Sequence, residues 1–134
     1  MSAEADIQRF RLKVRTRYEK AIAKIGFQLL DSIIVRSPVD VGTFRNNWHI
    51  GINEIPSAVR ADPDRGGAAA RAEGLQKLAE ITPQPGFFTI VNNLPYGPAL
   101  ESGWSKQAPA GMVAVTVAQF RSIVSGVVHE VRLS

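Results

Sequence analysis

The last third of the chain contains an unusual segment, residues 92–112, which reads NNLPYGPALESGWSKQAPAGM and has three prolines and three glycines. The residues before this segment have the composition of a strand, and those after it have the spacing of a helix, so it connects two regular elements. Such connections are ordinarily polar and lie at the surface. Because this one also carries Tyr96, Leu100 and Trp104, it has to bury these side chains against its own domain or against a partner.

The first quarter of the chain is predicted to form one long amphipathic helix, residues 4–36. Pro38 ends it, because the residue before a proline is pushed out of helical geometry. A helix of this length spans roughly 48 Å at 1.5 Å per residue, which exceeds what one small core needs, so part of it is expected to serve a neighbour. Its apolar residues recur at steps of three and four on one face, and they are Ile7, Phe10, Val14, Tyr18, Ala21, Ile25, Leu29 and Ile33.

A turn and a strand are predicted to follow the long helix. Residues 37–42, SPVDVG, combine proline, aspartate and glycine in the manner of a tight turn, which gives Asp40 a turn-forming and not a catalytic role. Residues 44–55 alternate between apolar and polar positions and are predicted to be a strand. Trp48 lies on the apolar side of this strand, so it is expected in the core.

Two further helices and a second strand complete the expected elements. Residues 68–80 form an alanine-rich helix, and residues 87–91 are β-branched and aromatic, which favours a strand. The valines of residues 110–132 fit a helix by their spacing, with Pro109 in its first turn. The apolar contribution of the alanine-rich helix is expected from Leu75, Leu78 and Ala79.

These elements predict a single α+β domain over residues 1–134, in which a long N-terminal helix and a C-terminal helix pack on a small antiparallel β-sheet. Two strands alone are marginally stable, so at least one short further strand is expected.

Composition excludes several classes of protein. Of the 134 residues, 45% are hydrophobic and 21% are charged, which is ordinary for a globular domain. There is no cysteine, so disulfides and cysteine-ligated zinc are excluded. The N-terminus lacks the apolar core of a signal peptide, and the apolar runs are too short to cross a bilayer. A soluble protein without a membrane partner is therefore expected.

The net charge of +4 is unevenly distributed, since residues 1–36 hold eight Arg/Lys against four Asp/Glu and the remainder holds eight of each. Three interpretations of this excess stay open: a solvated helix face, contact with an acidic protein surface, and phosphate contacts with DNA. Five basic residues are spaced to share one helix face, and this basic stripe consists of Arg9, Lys13, Arg17, Lys20 and Lys24.

Catalytic and cofactor motifs are lacking in the sequence. The two histidines, His49 and His129, are far apart and have no third ligand-like neighbour at metal spacing, so each is expected at the surface or satisfied by an ordinary hydrogen bond. No serine lies in a nucleophile elbow, and Gly66-Gly67 lacks the lysine of a phosphate loop. No enzymatic activity, metal or cofactor is predicted.

Two segments resemble the tail-completion or neck proteins of tailed bacteriophages, the group that includes minor tail protein Z. The first is SPVDVGTFRNNW at residues 37–48, similar to that group's Pro-x-Asp-x-Gly turn leading into an Arg-x-x-Trp strand. The second covers residues 92–96 and 100–112, and the order of elements also agrees. Residues 56–82 carry no part of the resemblance.

The resemblance implies a structural virion protein that joins or completes the tail at the head–tail interface, assembled in the host cytoplasm as a ring of identical subunits. Its partners would be copies of itself and neighbouring connector, stopper, terminator or tail proteins, with non-specific contact to packaged DNA as a further possibility. Tyr96, Leu100 and Trp104 are the candidate interface residues, although for Trp104 core and interface are equally open. The alternative function is a small basic nucleic-acid-binding module that uses the N-terminal helix.

Overall fold

The computed structural model describes the backbone of residues 3–81 and 86–133 and the side chains of residues 5, 17–81 and 86–132. Helix α1 (Ala3–Arg36) is followed by a short 3-10 helix (Arg45–Asn47) and by strand β1 (Trp48–Ile52). Helix α2 (Ala68–Leu78) leads into strand β2 (Phe88–Asn92). Three helices follow, and they are α3 (Gly97–Glu101), α4 (Val113–Ala118) and α5 (Phe120–Leu133). The predicted α+β class, with helices at both ends, is confirmed.

The two strands pair antiparallel, with Trp48 opposite Asn92, Ile50 opposite Ile90 and Ile52 opposite Phe88. Within the described residues the sheet has two strands, so the expectation of a third is wrong for this part of the chain. Helices supply the burial that a further strand would have given.

The main core lies between the sheet, α1 and α2. Its fully buried side chains include Leu30 and Ile34 of α1, Ile50 of β1 and Leu78 of α2. The predicted core position of Trp48 is confirmed, since only 4% of its surface is exposed.

A second, smaller core joins α1 to α5. Ile25 packs there with Val127 and Val131. Ser32 bonds to Thr116 at 3.2 Å, and Lys24 pairs with Glu130 at 3.0 Å. Since the residue numbers run in opposite directions, the C-terminal helices lie antiparallel to α1.

The first resembling segment closes the end of α1 onto β1. The hydroxyl of Ser37 donates to the carbonyl of Ile33 at 2.6 Å and accepts from the Trp48 indole at 2.8 Å. Arg45 donates to the carbonyls of Val35 and Ser37, which lie at the negative end of the helix. This segment therefore has a structural role, because it holds the C-terminal end of α1 against β1.

The predicted strand over residues 44–55 is too long. The structure forms a 3-10 turn first, because the backbone N–H of Asn46 donates to Gly42 and that of Asn47 donates to Phe44. The side chains of both asparagines are buried and bonded to the loop at residues 60–62, which holds the turn closed. At the other end Ile55 is 73% exposed, so it does not belong to the apolar side of the strand.

The long N-terminal helix is confirmed, and its apolar face is confirmed in part. Ile25 and Ile33 are buried, whereas Tyr18 is 56% exposed. Outside the described side chains lie Ile7, Phe10 and Val14.

Helix α2 was predicted with a partly wrong apolar face. Leu78 is buried, but Leu75 is 56% exposed and Ala79 is exposed. Ala70 and Gly74 are buried in their place. A Cβ at Gly74 would lie 2.3 Å from Cδ2 of Leu30, so the absence of a side chain is what lets α2 approach α1.

The single helix predicted over residues 110–132 is wrong in two respects. It begins later, at Val113, so that Pro109 precedes the helix and does not form its first turn. It also divides at Gln119, whose backbone (φ −95°, ψ 1°) departs from helical geometry. Helix α3, inside the predicted connection, had no counterpart in the sequence prediction.

Candidate interface at the aromatic loop

The aromatic loop, residues 92–112, is anchored at its start by ring contacts. The Tyr96 ring centroid lies 5.7 Å from that of Phe44. Phe44 in turn meets the Trp48 indole edge to face at 5.8 Å, a favourable geometry for aromatic pairs. These contacts connect the loop directly to the main core.

Glu101 anchors the other end of the loop. Its carboxylate accepts the backbone N–H groups of Met112 and Val113, both at 2.9 Å, and of Ala114 at 3.0 Å. These donors form the first turn of α4, where a negative charge is favoured. Burial raises the pKa of Glu101, but the three N–H bonds outweigh it and lower the pKa below its ordinary value.

Two glycines allow the loop to turn back on itself. Gly103 (φ 92°) and Gly111 (φ 85°) both adopt the left-handed region that favours glycine. A Cβ at Gly103 would lie 2.6 Å from the Pro109 carbonyl oxygen, and one at Gly111 would collide with Glu101. The loop conformation therefore depends on glycine at both positions.

Trp104 follows the first of these glycines and points away from the domain. Its side chain is 81% exposed, although its backbone N–H is bonded to the Ala99 carbonyl at 3.3 Å. Core packing, one of the two alternatives for this residue, is therefore excluded within the monomer. The indole is presented on a fixed backbone.

A groove of about 390 Å³ lies between the aromatic loop and the turn that follows α1. Gln107 fixes the distance between its walls, because its amide accepts from the Val39 N–H at 2.9 Å and donates to the Val39 carbonyl at 3.0 Å. Its lining combines the apolar side chains of Val39, Val41, Phe44, Tyr96 and Leu100 with the polar ones of Asp40, Thr43, Ser105 and Gln107. Val41 is 59% exposed, so part of the apolar lining is open to solvent.

The three predicted interface residues take different positions. Tyr96 is 46% exposed, while Leu100 is half-buried and packs against the main core, and both line the groove. Trp104 does not line it. The structure thus gives the loop a recessed part and a projecting part.

The basic stripe is described only in part. Arg17 and Lys20 are exposed, and Lys24 is engaged with Glu130 in a surface ion pair of the kind that contributes little to stability. Outside the described side chains lie Arg9 and Lys13.

His49 is buried and hydrogen-bonded, which is the second of its two predicted positions, and it forms a small polar cluster. Its Nδ1 lies 3.3 Å from the Glu73 carboxylate, which also accepts from Arg60. Burial raises the pKa of Glu73, but the bonds from His49 and Arg60 outweigh it and lower the pKa. The second histidine, His129, is exposed. The part of the chain that the structure describes contains no group of His, Asp and Glu suited to a metal ion.

Sequence reasoning missed Glu101 and Gln107, the two residues that shape the candidate interface. Both act through partners distant in sequence, Met112 for the carboxylate and Val39 for the amide. The glycines at 103 and 111 were the only local signal that this segment folds back on itself.

Comparisons with protein-family models, with curated proteins and with solved structures found no match. None of the helices in the described residues is long and apolar enough to span a membrane.

Proposed function

We propose that this chain is a structural subunit of the neck of a tailed bacteriophage, where it joins or completes the tail at the head–tail interface as one member of a ring of identical copies. The resemblance of residues 37–48 and 92–112 to neck proteins supports the proposal, together with the surface at the aromatic loop. The role needs shape and apolar contact, and it needs no catalytic group or cofactor.

Trp104 is the single observation that carries the proposal. Isolated exposed apolar residues are common, but this indole is 81% exposed on a loop whose backbone is fixed at both ends. Large aromatic side chains dominate interface energetics, and a preorganised anchor loses less conformational entropy on binding. Trp104 would therefore be the residue that inserts into a neighbouring subunit or virion protein.

A ring also requires that the two sides of each contact differ, because one patch of a subunit meets another patch of the next copy. The aromatic loop offers a projecting indole, and the groove beside Val39 and Val41 offers a recess. A subunit of this kind would close the joint between head and tail by geometry, so that packaged DNA does not leak.

Salt dependence tests the proposal against the alternative of a basic nucleic-acid-binding module. Apolar ring contacts should survive about 1 M salt, where the Debye length falls to about 3 Å, whereas phosphate contacts weaken steeply as salt rises. We expect purified protein to sediment as a large ring at low and high salt, and electron microscopy of virions to place it at the portal exit. A monomer that binds DNA only at low salt would contradict the proposal.

A further inference from the structure

The outer edge of strand β2 has an open row of backbone groups. The N–H of Asn53 donates to the carbonyl of Phe87 at 2.8 Å, so these two residues form a hydrogen-bonded pair. Every second pair along the two strands is then hydrogen-bonded in the same way. Because alternate residues of an antiparallel strand point their backbone groups to opposite sides, Phe88 and Ile90 direct theirs away from β1. No described residue bonds to the backbone of either one.

The corresponding edge of β1 is covered. Glu73 of α2 bonds to His49, while the adjacent Gly74 approaches Ile50 to within 3.3 Å, measured from an ideal Cβ. Neighbouring residues of a strand face opposite sides of the sheet, so α2 must lie along the edge between them. Four of the five residues of β1 are buried, whereas all of β2 is half-buried. The sheet therefore has one closed edge and one open edge.

The sequence of β2 does nothing to protect the open edge. Natural proteins discourage pairing at an edge with lysine, proline or a bulge. The strand reads FTIVN, has no charge, proline or glycine, and pairs with β1 in unbroken register. Such an edge is a template for another strand.

We propose that this edge is the docking site for an extended segment of a different polypeptide, which adds to the sheet as its third strand. Outward N–H and C=O groups recur about every 6.8 Å along a strand, a spacing that an extended backbone matches. The side chains of Phe88 and Ile90 lie on the core face, so the incoming segment would place apolar residues on that face and polar residues beside Thr89. The inference does not depend on the proposed neck function.

A second copy of the chain fits the edge less well. Self-pairing of two β2 strands would join them along a ribbon about 17 Å long and about 5 Å wide, far below the roughly 1,200–2,000 Å² buried in a stable dimer. The other extended segment, residues 54–60, is already held by Asn93, which donates to the carbonyls of Pro56 and Ala58. Apart from β2 itself, the described part of a neighbouring copy therefore has no free strand to offer.

Amide hydrogen exchange on the full chain tests the proposal. The probe is a blocked peptide of alternating valine and threonine with two terminal lysines, and its control is the same peptide with alternate backbone nitrogens methylated. In the free protein, Thr89 and Val91 should exchange slowly, and Phe88 and Ile90 quickly. The probe should protect Phe88 and Ile90, while the methylated peptide should not.

A pair of variants distinguishes the contribution of the backbone N–H at the edge of β2 from that of the Phe88 side chain. Phe88→Pro removes one outward N–H at the first strand position, where proline is tolerated, and Phe88→Ala removes the same ring but keeps the N–H. We expect Phe88→Pro to weaken probe binding about tenfold relative to Phe88→Ala. Equal binding by the two variants, no protection at millimolar probe, or protection that rises with protein concentration alone would overturn the proposal; the last result would assign the edge to a second copy.

Discussion

Glu101 has more influence on the candidate interface than any residue exposed on it. Its carboxylate satisfies three N–H groups at the start of α4. At the same time it holds the end of α3 against that helix, so the loop between them cannot open freely. Glu101 therefore helps to fix the loop that carries Trp104.

We expect Glu101→Gln to destabilise the protein by about 1 kcal/mol, the usual effect of losing a capping group. An amide has one acceptor oxygen and no charge, so it cannot satisfy the same set of donors. Chemical denaturation at pH 7 measures the change. Glu80→Gln, at an exposed position whose side chain bonds to no described residue, is the control and should leave stability unchanged.

The pH dependence of this effect has a defined sign. The pKa of Glu101 is lower in the folded protein than in the unfolded chain, so its contribution is complete above the unfolded value of about 4.3 and is lost as the pH falls through the folded value. The stability difference between wild type and Glu101→Gln should therefore shrink on acidification. A difference that stayed constant down to pH 2 would assign the effect to packing.

Trp104→Ala should reduce ring assembly and leave monomer stability nearly unchanged. The indole is 81% exposed, so its removal takes little buried area from the monomer. Sedimentation measures assembly, and thermal unfolding measures monomer stability. The matched control is Phe120→Ala, which removes a 46% exposed aromatic side chain from α5. This variant should still assemble into rings of subunits. Normal rings in the Trp104 variant would remove this residue from the interface.

At the level of elements, two helical glycines have opposite roles. Gly74 of α2 touches Leu30 and Ile50, which are 0% and 1% exposed, whereas an ideal Cβ at Gly126 of α5 meets no described atom within 4 Å. Alanine is favoured over glycine in a helix by about 1 kcal/mol. The surroundings of each glycine therefore decide whether its replacement by alanine raises or lowers the stability of the protein.

Gly126→Ala should stabilise the protein by up to about 1 kcal/mol, while Gly74→Ala should destabilise it by roughly 1 kcal/mol, because overpacking outweighs the helical preference. The two variants are compared by denaturant titration at one pH. Stabilisation by both would mean that Leu30 moves aside at no cost.

The division between α4 and α5 could not be predicted from the residues of this segment alone. The valine spacing of residues 110–132 favours one helix, and it does not mark a break. In the structure Thr116 is buried and contacts Ser32 of α1, while Val127 packs against α1 further along. Both parts of the divided helix therefore contact α1.

At the level of the whole molecule, the buried side chains that the structure describes fall into two clusters, and α1 contributes to both. Val127 is 0% exposed in the smaller cluster, between α1 and α5. We expect Val127→Ala to cost roughly 2 kcal/mol and to raise hydrogen exchange in α5 more than in β1. The control is Val117→Ala, which lies 63% exposed on α4 and should change neither. Uniform loss of protection would mean that the two clusters unfold as one unit.

The sequence by itself determined the elements whose signals are local. Helix α1 follows from three- and four-residue spacing ended by Pro38, β2 follows from a run of β-branched residues, and the turn before Phe44 follows from its proline and from Gly42, which adopts φ 99°. Trp48 was placed correctly in the core, while the role of residues 92–112 as an interface stays a prediction.

Only the tertiary structure decided where β1 begins, where the last helix divides, and which aromatic side chain stays exposed. The start of β1, for example, depends on the bonds of Asn46 and Asn47 to the loop at residues 60–62. Periodicity records which residues are apolar, whereas burial depends on what packs against them. For that reason Trp104, for which the sequence left core and interface equally open, is 81% exposed, whereas Trp48 is 4% exposed.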